Sequence, residues 1–367
     1  MSRPLILARS PFFATIDEAV SKGSKVELWV WANGETMPVA PSYVFQKLIP
    51  SPANKRMTYE LSSYIQEKFN FIHPYTDIDL GTWWVNVRVR RYNLDNTSTY
   101  VELDDIYYYA VNGYQNLEVN NIYQGNVDIP LCINSNVFLS QEIDYVYGQF
   151  QPLYFVNAGG HTITYSSGET GGSVTIPNDE PYCFAYNFDG ENPYWGGNIT
   201  IEISGEFLNT SWQFRQNDDC NNNGVIWYLN CFGVWESTDT KGSIKSSVNI
   251  TSNEYQFIDP TIWTESNSNA FPSYFGEKQQ FNTNGTRTFT LNTNWKPERW
   301  NLILEQIMLS EHINFLDVNS RVLIANVYPF PCKLNTKSIQ LNRHLTDKLI
   351  NYQLELELLQ SMVYTQL

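Results

Sequence analysis

The chain has 367 residues, of which 42% are hydrophobic, 15% aromatic and only 17% charged, with a net charge of −15. The hydrophobic share excludes a disordered chain, and the length fits two or three domains of about 100–150 residues each. The acidic balance excludes a phosphate-binding role unless a basic patch forms locally; the densest basic run, "RVRR" at 88 to 91, lies inside a strand pattern.

The first segment, 1–112, reads as a β-domain with one helix. "KVELWVWANG" sets Val26, Leu28 and Val30 against Glu27, Trp29 and Trp31 and then turns at Asn33-Gly34. Pro38, Pro41, Pro50 and Pro52 follow, a spacing that belongs to edge strands and loops. In "TYELSSYIQEKFNF" the period changes. Leu61, Tyr64, Ile65 and Phe69 predict an amphipathic helix over about 58–70. "TWWVNVRVRRYN" and "STYVELDDIYYYAV" then predict an antiparallel hairpin closed by the polar loop "NLDNT".

The second segment, 113–265, predicts a β-sandwich-like domain with long Asn/Gly loops. Strands are expected near 151–156, 161–165, 198–204 and 225–234. Between them lie "SSGETGGS", "NFDGENPYWGG" and "RQNDDCNNNG", the last joining "TSWQF" to "VIWYLN" as a hairpin. The third segment, 266–367, predicts another β-domain with one helix. "RTFTLNT" reads as a strand. "KPERWNLILEQIMLS" gives a helix over about 297–310, with Pro297 at its first position and Trp300, Ile303, Leu304, Ile307 and Met308 as its apolar stripe. Short strands are expected at 312–316 and 321–327, and "YPFPCKLN" reads as a loop. In "KLINYQLELELL" residues Ile350, Tyr352, Leu354, Leu356 and Leu358 alternate with polar ones, so pattern overrides helix propensity and predicts a strand. Its expected partner is "TKSIQL" at 336–341. The fold class is thus mainly β: two or three β-sandwich-like domains with a few short amphipathic helices.

Five cysteines at 132, 183, 220, 231 and 332, without a CxxC, point away from a Cys-rich zinc site and towards a reducing compartment. A Cys220–Cys231 bridge closing one loop remains open beside free thiols. The N-terminus "MSRPLILARSPFF" lacks the features of a signal peptide, and no apolar run approaches a membrane span, so a soluble, cytosolically made protein is expected. His73, His161, His312 and His344 are scattered, without an HExxH or HxH pair. "SSGETGGS" lacks the ending of a phosphate loop, and no GxSxG is present. Acidic pairs stand at Asp77/Asp79, Asp104/Asp105 and Asp218/Asp219; Asp104 and Asp105 point to opposite faces of a strand. Asp189 and Glu191, in an Asn/Gly loop, are the best calcium candidates, although a solvated role suits them better. Tyr194 and Trp195 could stack on a sugar or pack under their own loop, and together these four residues form the candidate ligand-contact loop. No catalytic residue, cofactor or metal is assigned.

Three passages carry a family resemblance. "ARSPFFATI", "SKVELWVWANG" and "YVFQKLIPSPANKRMTYELSSYIQEKF" together resemble the opening of virion structural proteins of tailed phages that infect Bacteroidetes, crAss-like phages included. "GVIWYLNCFGVWES" is similar to the mid-chain segment of that group. "FNTNGTRTFTLNTNWKPERWNLILEQIMLSEHINF" and "KLNTKSIQLNRHLTDKLINYQLELEL" resemble its C-terminal region. The resemblance implies a non-enzymatic structural component of a tail hub, baseplate or neck, placed in the virion and assembled in the host cytoplasm. Its implied partners are copies of itself and other tail proteins, with no membrane and no sequence-specific nucleic acid. The alternative is a tail adhesin that binds a receptor or a host surface glycan through its aromatic loop.

Overall fold

The computed structural model describes residues 3–17, 22–48, 56–71, 81–95, 97–114, 131–134, 142–145, 150–167, 170–187, 199–206, 210–216, 222–241, 244–256, 278–293, 295–317, 329–341 and 349–359. The chain is mainly β, and its described residues form several sheets and two short α-helices.

The N-terminal part holds β1 (Leu5–Leu7), β2 (Phe13–Asp17), β3 (Gly23–Ala32), β4 (Tyr43–Leu48), β5 (Arg56–Glu60), α1 (Ser62–Gln66), β6 (Asn70–Phe71), β7 (Gly81–Thr82), β8 (Trp84–Leu94) and β9 (Tyr100–Val111). Five of these strands form a sheet in the order β1-β9-β8-β3-β4, with β1 parallel to β9 and the other pairs antiparallel. The expected β8–β9 hairpin is present, and β4 is an edge strand after the proline-rich turn. One face of the sheet buries Val26, Leu28, Val85 and Val87 against the β2–β5 ladder and α1. The helix is shorter than the sequence pattern predicts. Met57 and Tyr59 alternate into this core from a strand, and the Tyr59 hydroxyl donates to the Ser24 carbonyl at 2.9 Å and lies 2.7 Å from the Ser24 hydroxyl. A ladder with β2 plus a satisfied buried hydroxyl pair outweighs the helical period until Leu61. Leu61 and Ile65, one turn apart, then enter the same core.

The central part holds β10 (Leu131–Cys132), β11 (Glu142–Tyr145), β12 (Phe150–Val156), β13 (Thr162–Ser167), β14 (Thr170–Thr175), β15 (Tyr182–Asn187), β16 (Ile199–Ser204) and β17 (Thr210–Gln216). They form two sheets, β10-β12-β15 and β11-β17-β16-β13-β14. Leu153, Phe155 and Phe184 of the first face Ile163, Ile201 and Trp212 of the second, which makes a sandwich core.

The remainder holds β18 (Asn222–Leu229), β19 (Trp235–Lys241), β20 (Lys245–Gln256), β21 (Lys278–Asn292), β22 (Lys296–Pro297), α2 (Asn301–Leu309), β23 (Ile313–Asp317), β24 (Phe330–Leu334), β25 (Leu349–Ile350) and β26 (Gln353–Leu358). One seven-stranded sheet runs β19-β18-β23-β24-β26-β21-β20. It lies on both sides of residue 265, so the expected boundary there passes between two neighbouring strands. β17 and β18 sit in different sheets and do not form the expected hairpin; β18 pairs instead with β19 and β23. β26 buries Leu354 and Leu356 as its alternation predicts. Its partners are β21 and β24, not 336–341, whose Ile339 and Leu341 pack onto the core without joining the sheet. The "YPFPCKLN" passage contributes a strand, β24, with Cys332 buried. Pro297 belongs to β22, and a 3-10 turn at Glu298–Trp300 leads into α2. The turn and the helix together lay Trp300, Ile303, Leu304 and Ile307 on the sheet. The segment 321–327 lies outside the described residues.

The parts meet at the turn between β18 and β19. Asn230 is fully buried. Its side-chain oxygen accepts from the N–H groups of Phe232 (2.8 Å) and Val234 (3.2 Å), and its amide nitrogen donates to the Ile133 carbonyl at 2.9 Å. The N–H of Tyr114 donates to the Cys231 carbonyl at 2.6 Å. Gly233 adopts φ +74°, and a Cβ there would stand 2.4 Å from the Asn112 backbone. A Cβ on Gly113 would stand 2.7 Å from the Cys231 carbonyl. Around this crossing Leu5, Trp84 and Val111 pack with Ile133, Tyr154 and Phe232. Gly233→Ala and Asn230→Leu are each expected to cost about 2–4 kcal/mol, the first from positive φ plus a backbone clash, the second from buried groups left unpaired. Urea unfolding reads the loss; a midpoint unchanged in both variants would contradict the geometry.

Candidate interaction surfaces

The face of the N-terminal sheet opposite its core splits in two. At one end it is buried around Trp84, Tyr109 and Val111. At the other, the "RVRR" run meets acidic and aromatic neighbours. Arg88 and Arg90 share one face by strand alternation, and Arg91 takes the other. Arg88 forms a fork on Asp105, with Nε–Oδ1 2.7 Å and Nη2–Oδ2 2.5 Å, and Arg90 Nη2 donates to Asp105 Oδ2 at 2.8 Å. Arg91 pairs with Asp104 and donates to the Thr15 carbonyl at 2.5 Å. The two aspartates therefore serve separate arginines on separate faces, as their alternation predicts.

Aromatic rings complete the layer. The Arg88 guanidinium stands 4.7 Å from the Trp29 ring and 5.2 Å from Tyr107. Lys25 Nζ lies 3.9 Å from the Tyr92 ring centre, and Arg3 lies over Tyr107 and Tyr109 at 5.4 and 5.0 Å. Lys25 also donates to Glu27 at 2.9 Å, and Glu27 accepts from the Tyr92 hydroxyl at 2.8 Å. Burial works against the Glu27 carboxylate, yet the bonds from Lys25 and Tyr92 hold its pKa below the usual value. Each cation of this layer has a carboxylate or a ring beside it, so the "RVRR" run forms no open basic patch for phosphate.

The other reactive groups are placed for packing. Cys132, Cys231 and Cys332 are free thiols pushed up to about 12 by burial, far from the range in which a thiolate forms readily. Cys220 lies outside the described residues. His161 is buried, with Nδ1 3.1 Å from the Ala158 carbonyl, and His312 is on the surface. Lys296 donates to the buried Asp239 at 2.6 Å, tying β22 to β19. Among the described residues no group of three or more His, Cys, Asp or Glu side chains could hold a metal ion. No described helix is long and apolar enough to cross a membrane. A groove of 540 Å³ opens at the end of α2, with Glu311, Lys333 and Lys337 among its lining residues. Cys332 lies in its wall as a buried thiol.

Asp189, Glu191, Tyr194 and Trp195 lie outside the described residues, as do Asp77/Asp79, Asp218/Asp219, His73 and His344. The sequence reading did not single out two surfaces that the structure presents. The first is the cation–aromatic layer, foreshadowed by Glu27 and Trp29 alternating opposite Arg88 and Arg90. The second is β20, where Val248 is 45% and Ile250 67% exposed on an outermost strand. Exposed apolar side chains also stand on β4 (Val44, Leu48), on the outer side of α2 (Leu302, Leu309) and at Trp295.

No family model matches the chain, and no curated protein matches it. Among solved structures it is similar to the CsuC–CsuE chaperone–tip adhesion subunit pre-assembly complex from the archaic chaperone–usher Csu pili of Acinetobacter baumannii. The identity is 13%, over 59% of this chain and 96% of that chain, with a TM-score of 0.20. A superposition that loose defines no shared fold.

Asp105 gives the layer a pH signature. Chiefly through the Arg88 fork, its pKa is lowered to about 2. The folded value lies below the unfolded value of about 3.9, so the stabilisation is present above about pH 4 and is lost as pH falls through 2. Asp105→Asn is expected to cost about 1–2 kcal/mol at neutral pH, allowing for solvent screening of a partly exposed pair. The gap from the native chain should close between pH 4 and pH 2 in thermal melts; a gap constant with pH would refute the pairing.

Proposed function

We propose that the chain is a structural component of a bacteriophage tail, at the hub, baseplate or neck, and that it acts by assembly into a larger particle, not by turning over a substrate. The observation that carries this reading is β20: a 12-residue outermost strand with exposed Val248 and Ile250, whose outer edge meets no strand among the described residues. A long open edge invites pairing with another chain, and a monomer normally blunts it. Support also comes from the apolar side chains left open on β4 and α2, and from a surface with few charges for its size. The three resembling passages supply the particle: a virion tail, with other copies and other tail proteins as partners.

A tail role requires contacts of about 1,000 Å² or more per neighbour. Purified particles of the phage that encodes this chain should contain it in constant ratio to the other tail proteins. Particles made without it should lack a complete tail. Complete, infectious particles that do not contain the chain would contradict the reading.

A further inference from the structure

We propose that β20 pairs antiparallel with β20 of a second copy of this chain, about a two-fold axis at Asn249. The inference rests on the structural role proposed above and adds the partner at that same edge. From Lys245 to Thr251 the strand pairs with β21 without a break, and its one register shift comes after Thr251. In that run the side chains alternate cleanly. Val248 and Ile250 share one face; Ser247, Asn249 and Thr251 share the other.

The edge carries little of what keeps sheet edges apart. Between Lys245 and Glu254 it has no charged residue and no proline. Other outer strands differ. β4 carries Lys47, whose ammonium donates to the Thr58 carbonyl at 2.5 Å and covers the Tyr59 ring. β14 is short and holds Gly171 and Gly172. β19 is tied to β22 through Asp239 and Lys296.

The self-pairing follows from the order of residues. A two-fold axis perpendicular to the sheet keeps each side chain on its own face, so each residue meets one of its own parity. Centred on Asn249, the register sets Val248 opposite Ile250 of the second copy, and Ile250 opposite its Val248. Four apolar side chains that are exposed in the single chain then form one cluster. On the other face Ser247 meets Thr251 and Asn249 meets Asn249, so hydroxyls and amides find each other. Lys245 falls opposite Asn253, and no like charges oppose. Moving the axis to Val248 keeps one direct apolar pair, Val248 with Val248, but sets Ile250 opposite Ser246; moving it to Ile250 keeps Ile250 with Ile250 but sets Val248 opposite Ser252. Of these registers only the one centred on Asn249 gives each of the four apolar side chains an apolar partner directly opposite, and it is the one the sequence of this strand favours.

Two variants of the full chain test the pairing. Asn249→Cys places two thiols directly across the axis at a Cα separation of about 4.5–5.5 Å, within disulfide range. Oxidation should convert the variant into a covalent dimer, while the native chain and Ile250→Cys, whose two copies stand one residue either side of the axis, stay uncrosslinked. Ile250→Lys should weaken dimerisation, measured by light scattering over a concentration series, by at least about tenfold, the equivalent of a modest charge repulsion. Its circular dichroism melt checks that the fold is kept. A native oligomer that Ile250→Lys leaves intact, with no crosslink in Asn249→Cys, overturns the pairing and leaves the structural role standing. A native chain that is monomeric at every concentration, again without the crosslink, overturns the pairing as well. Loss of the tail role itself would show in the particle composition, which neither variant measures.

Discussion

The close crossing of two backbone segments, Asn112–Tyr114 and Asn230–Val234, is the constraint on which the arrangement of the sheets depends. Glycines at 113 and 233 remove the Cβ atoms that would hold the segments apart. The Asn230 side chain then ties three backbone groups from two distant stretches. A buried amide with its partners in place is stabilising, and the same amide without them is costly, so this turn has one favourable arrangement. The passage "GVIWYLNCFGVWES", one of the three that carry the family resemblance, contains it.

Other contacts converge on this crossing. Arg9 reaches Glu311 at 3.2 Å and stands over the Tyr114 ring, while the Gln306 side chain accepts from the Cys231 N–H at 3.2 Å. The end of α2 is thereby joined to the N-terminal strands. The apolar cluster around Tyr154 and Trp84 fills the space beneath. With one end of the N-terminal sheet buried in this way, the cation–aromatic layer occupies the other end. At the far side of the seven-stranded sheet β20 is left outermost, so one arrangement accounts for both what is buried and what is open.

Much of the fold was legible in the sequence because two-residue alternation is a local signal. The β8–β9 hairpin and β26 could be read from it, strands were expected where β12, β13 and β16 lie, and the apolar stripe of α2 showed in the three-to-four-residue period of a helix. What was not legible depended on partners distant in the chain. Thr58–Glu60 lies within a convincing helical pattern, and only the β2 ladder and the buried Ser24–Tyr59 pair make it strand. β18 reads as the return of a hairpin from β17, but its sheet partner β23 comes from much later in the sequence. Of the site, the opposite orientations of Asp104 and Asp105 followed from alternation, whereas their arginine partners required the register of β8 against β9. β20 passed unnoticed because its serines, asparagines and threonines dilute the two apolar residues that matter.

The Asn230 turn locks the sheets into one body. Native-state hydrogen exchange on the full chain probes this lock at the amides of Phe232 and Val234. These should exchange as slowly as the core amides of β8 and β18, opening only with the whole structure. Rapid exchange at that turn while β8, β12 and β18 remain protected would show that the crossing opens alone and that the sheets hold together without it.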